Sequence, residues 1–132
     1  MRIQSLALAV TMFAASLAVD GANAKTLSVP SGKTVKIGSY AILMDNTCAY
    51  GKISKVTTSQ PKNGTLKTAN ERVEATSVGP CRGVKIPGIA VYYTSKPGFH
   101  GRDCGKVVFF HPILESDAQN FGHPFPVCVN VK

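Results

Sequence analysis

Carboxylates are scarce in this chain. Its 132 residues hold seven Asp and Glu against fifteen Lys and Arg, a formal charge of +8. Acid–base chemistry by two facing carboxylates therefore has little to draw on. The nearest pair, Glu71 and Glu74, flanks Arg72 in a polar stretch expected to be a solvated loop. Hydrolase context is missing too. Ser116, Asp117 and His111 have the types of a nucleophile, an orienter and a base, but no Gly-x-Ser-x-Gly elbow surrounds the serine. No strand combines aromatic and basic residues in a nucleic-acid-binding pattern. Beyond the first 24 residues Met44 is the sole methionine, and nothing after Cys128 could serve as the axial ligand of a blue-copper site. No later run is apolar enough to cross a bilayer, which takes ~20 residues. There is no internal repeat, no low-complexity segment and no sustained helical period. No enzyme, no cofactor and no nucleic-acid partner is expected.

The front of the chain has the pattern of an export signal. Met1 and Arg2 start it, Leu6 to Val19 is almost wholly apolar, and Ala22-Asn23-Ala24 supplies small residues for cleavage before Lys25. No Cys follows those small residues, so a lipoprotein is not expected. Residues 1–24 are thus expected to be a signal peptide and residues 25–132 one soluble domain with no membrane span. The mature part keeps 14 of the basic and 6 of the acidic residues, so its charge stays at +8. Outside the cytoplasm that charge suits anionic polymers, acidic head groups or acidic proteins.

All four cysteines, Cys48, Cys81, Cys104 and Cys128, lie in the mature part. An even number in an exported chain points to two disulfides, and spacing alone leaves three pairings open. The competing possibility is zinc, held by His100, Cys104, His123 and Cys128 with His111 between them. Tetrahedral zinc accepts thiolate and imidazole, but knuckle spacing is absent and export favours oxidised thiols. No metal site is expected.

Strand and turn signals fill the mature part. Thr26 to Val29 and Thr34 to Ile37 flank Pro30-Ser31-Gly32, and Tyr40 to Met44 is an apolar run ended by Asp45-Asn46. Lys52 to Ser59 alternates. Asn63-Gly64 then predicts a tight hairpin to a strand over Thr65 to Thr68. Pro87-Gly88 predicts a second hairpin between Arg82–Ile86 and Ile89–Thr94. Lys106 to Phe110 and Pro126 to Val131 are the last strands, with a helical turn allowed only at Asp117 to Asn120. Many short strands with regular turns mean an all-β sandwich or small barrel.

Two segments carry a resemblance. "KVTTSQPKNGTL" and "VYYTSKPGFHGRDCGKVVF" resemble bacterial immunoglobulin-like and cadherin-like repeat domains, through Pro61, Gly64, Thr65, Tyr93, Pro97, Gly98, Phe99, Gly101 and Asp103. The resemblance spans roughly Lys52 to Phe110. It implies a Greek-key immunoglobulin-like β-sandwich of bacterial origin, periplasmic or secreted. The acidic segment common in that family is replaced by "MDNTCAYG", and with so few carboxylates no calcium site is carried over. In Greek-key sandwiches the last two strands neighbour each other, which favours pairing Cys104 with Cys128 and Cys48 with Cys81.

Within that frame Pro97, Gly98, Phe99, Gly101 and Asp103 form a structural corner. Pro97 fixes φ, Gly98 takes a positive φ, Phe99 folds onto the core, Gly101 leaves room for close backbone approach, and Asp103 accepts turn amides. Candidate contact residues lie elsewhere. Tyr92 is expected to face out while Tyr93 faces in. A long loop from His111 to Pro126 would offer His111, Phe121, His123 and Phe125. Lys52, Lys55, Lys62 and Lys67 surround one expected hairpin and would share a basic edge, a pattern that also deters aggregation. The expected function is a monomeric, exported, non-catalytic module. It would bind an anionic cell-envelope component or another protein, or play a structural role there. The alternative is a small secreted inhibitor presenting the His111–Pro126 loop to an enzyme, with a metal-binding or hydrolytic protein behind both.

Overall fold

The computed structural model describes residues 26–44, 47–75, 79–112 and 120–132. The expected signal peptide, the Asp45-Asn46 turn, and Ser116 and Asp117 lie outside them. The described residues are all-β. Nine strands follow in order: β1 Leu27–Val29, β2 Thr34–Tyr40, β3 Leu43–Met44, β4 Ala49–Tyr50, β5 Lys55–Ser59, β6 Gly64–Glu74, β7 Lys85–Ser95, β8 Gly101–Pro112 and β9 Asn120–Val131. One sheet has the order β1-β9-β8-β5 and a second β2-β7-β6, while β3 and β4 pair only with each other. β1 runs parallel to β9, and the other pairings are antiparallel.

Alternation sets the core. On β8, Val107 and Phe109 point inward, and on β9 so do Val127, Val129 and Val131. Leu66 on β6 and Ile89, Val91 and Tyr93 on β7 meet them from the other sheet, forming one buried cluster with Val29 of β1. Branched side chains dominate because they suit a pleated, half-buried surface.

Three expected features change. Pro87-Gly88 is no hairpin, because β7 runs straight through it. β2 reaches β7 only as far as Tyr40 opposite Ile89, so beyond that point β7 has β6 alone for a neighbour. Pro87 opposes Arg72 of β6, and its missing N–H falls on the side that β2 leaves open. Asn63-Gly64 is likewise not a hairpin between paired strands. β5 pairs with β8 and β6 with β7, so the turn carries the chain from one sheet to the other. The Gln60 side chain closes that turn, accepting from Leu66 N–H at 2.7 Å and donating to Leu66 O at 2.9 Å. Gly64 is required by packing, since a Cβ there would lie 2.6 Å from the Tyr93 ring. Finally, the expected His111–Pro126 loop is strand at each of its described residues. His111 and Pro112 end β8, and Asn120 to Pro126 begin β9. β1 covers β9 only at Val129 to Val131, so the outer edge at Pro124 and Pro126 needs no donors.

The disulfides join Cys48 to Cys81 and Cys104 to Cys128. Cys104 and Cys128 face each other directly across β8 and β9. Cys128 shares strand parity with Pro124 and Pro126, which lack an N–H to give β8. It therefore occupies a non-hydrogen-bonded position, where side chains approach most closely. The Cα atoms are 4.2 Å apart. Two disulfides suggest an oxidising, extracellular environment. Among the described residues no helix is long and apolar enough to cross a membrane.

Candidate functional site

Strand direction gives the molecule two ends. One gathers the turns at Pro30–Lys33, Gln60–Asn63 and Lys96–His100 with Lys132. The other gathers Ala41–Ser54, the β6–β7 connection and the open ends of β8 and β9. The first contains the Pro97–Asp103 corner.

Phe99 N–H donates to Lys96 O at 3.1 Å, which closes a turn with Pro97 at its second position. Gly98 at the third has φ +81°, as a type II turn requires. The turn passes the chain from β7 in one sheet to β8 in the other. Phe99 then packs against the core, and Gly101 sits at φ +127° with space around it. A Cβ on Gly101 would be 3.7 Å from the Phe99 ring, so glycine is needed for its backbone angle and not for close approach. Gly101→Val should therefore cost about 1–3 kcal/mol through strain alone. Lys96→Ala, on the surface, should stay within ~0.5 kcal/mol. Urea unfolding with the disulfides intact checks both, and equal small effects would show that the angle is not needed.

Asp103 closes the corner from inside. It is 4% exposed, and its carboxylate accepts from the Tyr93 hydroxyl at 2.7 Å and from Asn63 N–H at 3.2 Å. The corner, the crossing turn and the central strand β7 thus share one buried acid. Burial, aided by the hydrogen bond to Asp103, pushes the Tyr93 hydroxyl far above its ordinary pKa.

Tyr92 faces outward, but not freely. Its hydroxyl donates to Glu71, whose other oxygen accepts from Lys36 Nζ at 2.8 Å. Glu71 and Glu74 lie on β6 and not in a loop. The Lys36 hydrogen bond holds Glu71 below the usual carboxylate range, and the hydrogen bond to Glu71 raises Tyr92. This is a cross-strand tie over the outer face of β2-β7-β6, and it engages the polar end of Tyr92.

The other end collects rings. Tyr40 stacks between Phe109 at 4.5 Å and His123 at 5.0 Å, and Phe125 meets Phe109 edge-on at 6.2 Å. His111 packs on Phe121 at 5.8 Å. Three of the four expected contact residues therefore serve packing at least in part, while Phe121 remains 52% exposed. Tyr40, which organises the cluster, had no local signal marking it. Two open grooves flank the β3–β4 unit at this end, of about 370 and 310 Å³. Leu43, Val73 and Ile86 line the first, and Tyr50, Ile53 and Pro87 the second. Cys104 and Cys128, half of the zinc set weighed above, are bonded to each other.

The four lysines do not share an edge. Lys52 and Lys55 are at the ring-bearing end, with Lys55 Nζ 5.8 Å over the Phe110 ring. Lys62 belongs to the corner end and Lys67 to the outer face of β6. The hairpin expected to group them does not form, because β5 pairs with β8 and β6 with β7. The structure instead brings Lys62 towards Lys33, Lys96, Arg102 and Lys132. Each of these stands in or beside a turn or strand end, and only the topology shows that those points share one end.

No family model matches the chain, and no curated protein matches it. Among solved structures it is similar to the solution structure of amebosin, at 15% identity and a TM-score of 0.43, over 83% of this chain and 90% of that one. A likeness that slight does not bear on function.

Proposed function

We propose that the chain is an exported, non-catalytic immunoglobulin-like module that binds an anionic component of the bacterial cell envelope, in the periplasm or at the cell surface. Strand order supports the fold. With β3 and β4 set aside, seven strands divide into β2-β7-β6 and β1-β9-β8-β5. That is the division of a constant-type immunoglobulin domain, except that the first strand runs beside the last and not beside the second. The two disulfides support export.

The observation that carries the binding role is the uncompensated charge. Among the described residues, Lys36 with Glu71 is the one ion pair, against a formal charge of +8. Unpaired surface cations attract polyanions over about a Debye length, ~10 Å at 0.1 M salt. The mature protein, added to bacterial envelope fractions, should be retained at low salt and released at high salt. Retention unaffected by salt, or none at low salt, would remove the electrostatic role.

A further inference from the structure

We infer that the end bearing the Pro97–Asp103 corner is a docking surface for the phosphate groups of an anionic membrane. The inference rests on the electrostatic role just proposed and gives it a place.

Four separate backbone segments form this end and are tied to each other directly. Ser31 N–H donates to Lys132 O at 3.1 Å, Lys132 N–H to Val29 O at 2.9 Å, and Lys96 N–H to Asn63 O at 2.8 Å. Gly32 N–H donates to Ser95 Oγ at 2.7 Å. These ties hold Lys33, Lys62, Lys96 and Lys132 around one end, with Arg102 beside it opposite Asn130. All five side chains are exposed. The acid at this end, Asp103, is buried, and both its oxygens are taken by Tyr93 and Asn63. Among the described side chains at this end, the negative charge is thus turned into the core while the positive charges face out. Because backbone hydrogen bonds fix where the five side chains are rooted, binding a charged plane requires no backbone ordering, only that of the side chains themselves.

The other end differs. Its cations, Lys52, Lys55, Arg82 and Lys85, share it with the exposed Glu74 and with the exposed Met44, Tyr50 and Phe121. Cations contributed from four segments spread over a broad end, which suits a surface of head groups, whereas a single flexible polyanion is better served by a groove. Both grooves described above lie at the other end. Among the described residues Leu27, 39% exposed at the start of the three-residue strand β1, is the exposed large apolar side chain on this side of the molecule, so adsorption with little insertion is expected. Such binding is strongly salt-dependent.

The test uses the mature, oxidised chain with phosphatidylcholine vesicles made with or without phosphatidylglycerol, and separately with inorganic polyphosphate. The wild type should sediment with the anionic vesicles at low salt and come off as salt rises. Lys62→Glu with Lys96→Glu should weaken that binding about tenfold or more. Arg82→Glu with Lys85→Glu, an equal change in charge at the other end, should alter it less than about twofold. Equal losses in the two variants would overturn the inference, because binding would then follow net charge and no particular end. Binding to polyphosphate but not to vesicles would overturn the membrane as partner and leave the electrostatic role standing. Binding to neither, with envelope retention indifferent to salt, would overturn both.

Discussion

Asp103→Ala should destabilise the domain by about 3–5 kcal/mol, more than any surface substitution. Two hydrogen bonds to a buried charged acceptor are lost together, each worth about 1.5–3 kcal/mol. The Tyr93 hydroxyl and Asn63 N–H are left facing the gap with no acceptor in place. Tyr93→Phe removes one bond and keeps the ring against Gly64, so about 1–3 kcal/mol is expected. Because the two residues touch, their effects should not add. A double-mutant cycle should give a coupling of about 1–3 kcal/mol, and additive values would mean that the 2.7 Å contact contributes little.

The same pair sets an alkaline limit. Tyr93 has its folded pKa raised, so the folded state favours the protonated hydroxyl. Its contribution is fully present below the unfolded value of about 10. Above that the unfolded chain loses the proton first, and stability falls as pH rises towards the folded pKa. Wild-type stability should therefore drop from about pH 10 upward, by up to ~1.4 kcal/mol per pH unit from this group. Tyr93→Phe should fall less steeply over that window. Parallel slopes for the two proteins would assign the alkaline loss to other groups.

Asp103 and Tyr93 also show what the sequence reveals and where it stops. Pro97, Gly98 and Gly101 mark the corner because proline fixes φ and glycine alone enters positive φ freely. Tyr92 and Tyr93 separate by simple alternation. None of this depends on distant partners. Pro87 and Pro124 misled for the converse reason. Proline breaks a strand only where a neighbour needs its N–H, and whether a neighbour is present at that register is a fact about β1 and β2, far away in sequence. Asn63-Gly64 is a turn in either case, but a tight turn does not say whether the strands it joins pair or part. The basic end was hidden for that same reason. Lys33, Lys62, Lys96 and Lys132 are dispersed along the chain, and ladder register alone brings them together.

Removing the two disulfides one at a time should produce two different kinds of loss. By the loop-closure argument, bridges spanning 33 and 24 residues each restrict the unfolded chain by about 3–4 kcal/mol. Cys104 and Cys128 lie within a hairpin paired from Gly101–Val131 to Pro112–Asn120. The ladder keeps its geometry without them, so Cys104→Ala with Cys128→Ala should show nearly the whole loss in global unfolding. Cys48 and Cys81 have no such support. Their bridge fastens the two-residue strands β3 and β4 to the β6–β7 connection, and Cys48 is held at φ +61°, which non-glycine residues rarely adopt. Without the bridge this small unit can open while the two main sheets stay folded, and the entropy it gains offsets part of the loss. Cys48→Ala with Cys81→Ala should thus shift global stability by less than the other pair. It should also speed hydrogen exchange at Gly51, whose N–H donates to Ile42 O at 2.9 Å, while amides within β7 keep their protection. If both double variants lost the same global stability and Gly51 stayed protected, the β3–β4 unit would be held by contacts other than its sulfur bridge.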